Sequence, residues 1–134
     1  MSFSHESRVT FILAACASYI LHAAVDSVIH QLILSFVLWI FSESISLRHR
    51  IFTTGIVVLC FAFSRLYGLG ALRVSLTAEK FLLTRAVTLI TFLTVLFAFT
   101  SDEYVPLFAV LLTLVLFIAV NVSIRRSIRS FMGA

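Results

Sequence analysis

VLLTLVLFIAVNV, residues 110–122, decides the fold class. Only Thr113 and Asn121 interrupt its apolar run, and apolar and polar residues do not alternate along it. Backbone groups in hydrocarbon must be paired within the protein, so a segment this apolar spans lipid either as a helix or as a strand of a closed barrel. Barrel strands alternate with period two. This stretch does not, and the reading is helix.

The rest of the chain agrees. Of 134 residues, 61% are hydrophobic and 12% charged, about half the ~25% charge of a soluble domain. Mean hydropathy is +1.13. Fourteen Phe stand against four Gly and one Pro. A small soluble domain leaves much of its surface in water and could not hide so much apolar area. The expected solvent is lipid, and the expected fold is all-α: one integral membrane domain over 1–134, a polytopic bundle of four to five transmembrane helices. Five apolar segments can be marked, at 9–25, 30–46, 51–67, 82–100 and 104–123. Each approaches the roughly 20 residues that cross hydrocarbon. The apolar run before AACAS (14–18) is too short for a cleaved secretory signal, so the first segment is expected to be retained.

LHAAVDSVIHQ, residues 21–31, places His22, Asp26 and His30 at four-residue intervals, on one face if the stretch is helical. Two imidazoles and a carboxylate are ligand types that suit Zn or Fe, and they could also relay protons. The preferred reading is a turn between the first two segments, because an Asp at the bilayer centre costs about 2.5–3.5 kcal/mol. No metal or other cofactor is expected. Cys16 and Cys60, both inside apolar runs, read as small packing residues.

Lys and Arg set the orientation. Arg125, Arg126 and Arg129 put the C-terminus in the cytoplasm, and Arg65, Arg73, Lys80 and Arg85 lie on the same side; together these are seven of the ten basic residues. SDEYVP (101–106), acidic and without Lys or Arg, then faces outward, as does SLRHR (46–50) against the trend. GALRVSLTAEKF (70–81) is expected as an interfacial helix, with Gly68 and Gly70 ending the helix before it. SIRRSIRSF (123–131) is expected as a basic amphipathic tail on anionic lipid. Ser101 or Asp102 should cap the last helix, with Pro106 in its first turn. In FSESISLRHR, Glu43 is expected to pair with a snorkelling Arg.

Phosphate loops, zinc-protease helices, nucleophile elbows and CxxC pairs are missing, and six carboxylates scattered among turns and ends do not suggest an enzyme. A nucleic-acid partner is not expected from one short basic patch. Three classes remain: an immunity protein, a phage- or plasmid-borne effector such as a holin or exclusion protein, and an accessory subunit of a membrane complex. In size, span count and brevity of loops the chain resembles the polytopic immunity proteins against pore-forming colicins and M-type pyocin. That resemblance implies an inner-membrane protein that recognises a bacteriocin near the periplasmic leaflet. Partners would then be membrane lipid and a bacteriocin. The residues such a toxin would meet are Glu43, Arg48, Arg50, Asp102, Glu103 and Tyr104.

Overall fold

The computed structural model describes residues 5–64, 66 and 76–131. They form four helices: α1 His5–Ile40, α2 Leu47–Phe63, α3 Leu76–Thr100 and α4 Leu107–Phe131. No strand occurs among the described residues. By length and composition α1, α3 and α4 can cross a membrane, while α2, with 17 residues, falls just short.

The turn expected at Asp26 is not formed. The segments 9–25 and 30–46 merge into α1, a single helix of 36 residues. Neither Gly nor Pro interrupts it. A turn at Asp26 would break the internal backbone pairing that apolar surroundings demand, whereas Asp26 and His30 meet partners on α4 and α2. Continuing the helix satisfies both.

α1 stops at Ser42, a left-handed residue with φ 54°. Ser42 N donates to Trp39 O and Glu43 N donates to Leu38 O, the paired bonds of a Schellman motif. α2 starts at Ser46, an extended residue whose hydroxyl accepts from His49 N at 3.3 Å, the expected N-cap bond. α4 starts later than SDEYVP suggests. Proline forces the residue before it into extended backbone, so the helix opens with Pro106 O accepting from Val110 N. Ser101 caps a local turn instead, accepting from Glu103 N.

α1 packs against α4 and α2, and α2 against α3; α3 meets α4 only thinly. One core gathers Val57, Phe61, Leu83, Ala86, Ile90 and Phe117, and a second joins Leu34, Val37 and Leu38 to Ala109. Cys60 is buried in the first, as expected, but Cys16 is exposed on α1. Thr53, Thr84, Thr88, Thr100 and Thr113 donate their hydroxyls to the carbonyl four residues back, which satisfies them inside their own helices.

Asp26 faces Asn121 and Phe41 faces Phe108, so α1 and α4 run antiparallel. In that register Phe131 lies opposite about residue 16, and α1 runs on for about 11 residues, or roughly 16 Å. Phe11, Ile12 and Leu13 are exposed there. Of the expected interfacial helix, residues 76–81 are the start of α3; 70–75 lie outside the described residues, as do Arg65, Tyr67, Gly68 and Gly70.

Candidate functional site

Two short connections, 41–46 and 101–106, meet at one end of the bundle. His49 joins them. Its Nδ1 lies 3.0 Å from Glu103 Oε2 and 2.7 Å from Ser46 Oγ, and its Nε2 lies 2.7 Å from Ser101 Oγ. The ring also packs on Phe97, which stacks on Phe52. One buried imidazole thus fastens the start of α2 to the turn before α4.

Around this clasp the six anticipated residues separate. Arg48, Asp102, Glu103 and Tyr104 are exposed. Arg50 is half-buried and turned toward α1, where Nη1 donates to Ser35 Oγ at 2.8 Å. Glu43 is half-buried beside Tyr104, Pro106 and Phe108. The expected Glu43–Arg pair is not formed, because the Schellman turn aims Glu43 at α4 while Arg50 is held by α1.

Deeper in the bundle His22, Asp26 and His30 go to three different places. His22 Nδ1 donates back to Ser18 O at 2.7 Å. Asp26 Oδ1 accepts from Asn121 Nδ2 at 3.2 Å, Asn121 Oδ1 accepts from Arg125 Nε at 2.8 Å, and Arg125 Nη2 donates to Leu66 O at 2.8 Å. His30 Nδ1 is 2.9 Å from Thr54 Oγ1, which also accepts from Gln31 Nε2. Its ring meets Phe117 edge-on. Among the described residues, no three His, Cys, Asp or Glu side chains converge on a point that could hold a metal ion. A cleft of about 180 Å³ between α1 and α4 is lined by His22, Asp26, Asn121 and Arg125.

The C-terminal arginines also differ from the expected lipid-facing tail. Residues 123–131 continue α4, and Arg125 and Arg129 are buried, at 4% and 8% exposure. Arg129 pairs with the buried Glu79 of α3. Only Arg126 of the three is exposed. The burial follows from register: 125 and 129 are one turn apart on the face that continues Asn121, toward α1 and α3.

Two residues that shape the site, His49 and Asn121, do not stand among the candidates expected from the sequence. The first had a signal, the Ser46-x-x-His49 spacing of a helix cap. The second had none, since one Asn in an apolar run names no partner. The chain matches no family model, no curated protein and no solved structure.

Proposed function

We propose that the chain is a four-span protein of the bacterial inner membrane, with both ends of the bundle's chain in the cytoplasm, and that it confers immunity by binding a bacteriocin at its short-turn end. With α1 continuous, the described residues Arg8, Lys80, Arg85, Arg125, Arg126 and Arg129 share one end, leaving Arg48 and Arg50 at the other. This supports placing the short turns in the periplasm. α2 would complete its span with the extended residues beside it.

The observation that carries the reading is the His49 clasp. It joins two charged turns into one surface, with Arg48, Asp102 and Tyr104 exposed. A surface ordered before binding loses less conformational freedom on complex formation, and its charges set specificity and encounter rate. Asp102 and Arg48 are better probes than Glu103, which His49 already engages.

The test is to challenge cells carrying the chain with a panel of pore-forming and lipid II-cleaving bacteriocins. Survival against at least one is expected. Arg48→Glu with Asp102→Lys should reduce protection at least about tenfold (about 1.4 kcal/mol) at unchanged membrane level. Sensitivity to every toxin overturns the reading. The exposed apolar residues at the start of α1 favour a second one, an accessory subunit whose partner covers Phe11, Ile12 and Leu13; copurification of a stoichiometric partner from native membranes without toxin would select it.

A further inference from the structure

A pocket of about 110 Å³ lies between the two short turns, lined by Phe41, Glu43, Tyr104, Pro106, Phe108 and Ala109. Three aromatic rings and one carboxylate surround it. We propose that this pocket binds the ammonium group of a zwitterionic phospholipid headgroup.

Glu43 carries the argument. It occupies the position after the left-handed residue of the Schellman motif, where an apolar side chain ordinarily packs back on the helix. An acid there forgoes that packing. The residue is half-buried, and its carboxylate has no hydrogen bond or ion pair to any described residue. Both nearby arginines are accounted for: Arg50 is tied to Ser35, and Arg48 is exposed at the start of α2. A cation placed in the pocket would give this carboxylate the partner it lacks among the described residues.

The walls select the kind of cation. Phe41 and Phe108 meet edge-to-face with centroids 5.4 Å apart, and Tyr104 completes the lining. Aromatic faces attract ammonium groups, most strongly where water is displaced. The volume suits an alkylammonium end and excludes a whole lipid, whose chains would stay outside.

Depth selects the source. Trp39, Tyr104 and Phe108 are exposed at 76%, 74% and 70% around this end of the bundle. Trp and Tyr concentrate at the level of the lipid headgroups. A pocket at that level opens onto the ammonium groups of phosphatidylethanolamine or phosphatidylcholine. The inference stands whether or not the chain confers immunity.

The test uses the full chain purified in detergent, mixed with equal amounts of phosphatidylethanolamine and phosphatidylglycerol of matched acyl chains, with retained lipid read by native mass spectrometry. Wild type should retain phosphatidylethanolamine several-fold over phosphatidylglycerol. Glu43→Gln should bring the ratio close to one while melting like wild type, since Glu43 anchors nothing within the chain. Tyr104→Ala, at an exposed turn position, should lower the ratio independently and serves if Glu43→Gln does not fold. No preference in wild type, or an unchanged preference in both variants, overturns the proposal. A lysine peptide that binds in pure phosphatidylglycerol nanodiscs in a Glu43-dependent way, with no lipid preference, also overturns it by making the occupant a protein.

Discussion

Ser42 is the one described non-glycine residue with positive φ, and it sits where helices usually place glycine. A left-handed L-residue costs about 1–2 kcal/mol, partly offset because a glycine would give the unfolded chain more freedom. Ser42→Gly should therefore raise stability by about 0.5–1 kcal/mol, and Ser42→Val should lower it. Reversible unfolding in mixed micelles measures both; a less stable glycine variant would show that the hydroxyl itself is needed. Asn121 is the contrasting case, a residue whose value lies wholly in its partners. Its amide donates to Asp26 and accepts from Arg125, so a carboxylate and a guanidinium are joined through one neutral group within the bundle. Charges taken from water need such partners.

Between helices, the buried Glu79–Arg129 pair ties the start of α3 to the end of α4. Removing one member of a buried pair leaves the other uncompensated, at about 3–5 kcal/mol, whereas replacing both by apolar residues is often neutral or better. Glu79→Gln and Arg129→Gln should each lower the melting temperature markedly, and Glu79→Leu with Arg129→Met should recover most of the loss. If the double variant is as unstable as the singles, the pair matters through its other contacts. The same residues mark how far the sequence could be read. The apolar segments at 82–100 and 104–123 fall within or overlap α3 and α4, because hydrophobic runs report helices directly. Asp26 and Arg125 read from sequence as a turn and as part of a tail, because a polar residue in an apolar run is either wetted at a boundary or matched inside. What separates the two is a partner 95 or 59 residues away. The short turns are legible as a pair of neighbouring charged surfaces, but the cap spacing of His49 gives no hint that its ring reaches Ser101, 52 residues away.

For the molecule as a whole, the proposed four crossings, with α1 continuous, set a parity. An even number of crossings puts both chain ends on one side of the membrane, while a break at Asp26 would put them on opposite sides. Single cysteines at Ser7 and Ser130, in a background with Cys16 and Cys60 replaced by Ser, should share one labelling pattern with a membrane-impermeant maleimide. A cysteine at Asp102 should show the opposite one. Labelling of Ser7 together with Asp102 from outside would mean that α1 is broken or does not cross.

The thin seam between α3 and α4 has a mechanical consequence. It is fastened at the 101–106 turn and at Glu79–Arg129, with a cleft of about 410 Å³ lined by Lys80, Leu83, Thr84, Val87, Thr88 and Ile118 between. Glu79 and Ser101 are about 33 Å apart along α3, so a tilt of about 5° at the turn swings the far end by about 3 Å. That is enough to part an ion pair. A swing of that kind would pivot at the short-turn end of the bundle, with its travel at the opposite end. Spin labels at Lys80 and Arg126 should move apart when the pivot is disturbed by His49→Ala; an unchanged distance would mean that the seam is stiff. In the first case a disturbance at the short turns reaches the opposite end of the bundle, about 33 Å away along α3.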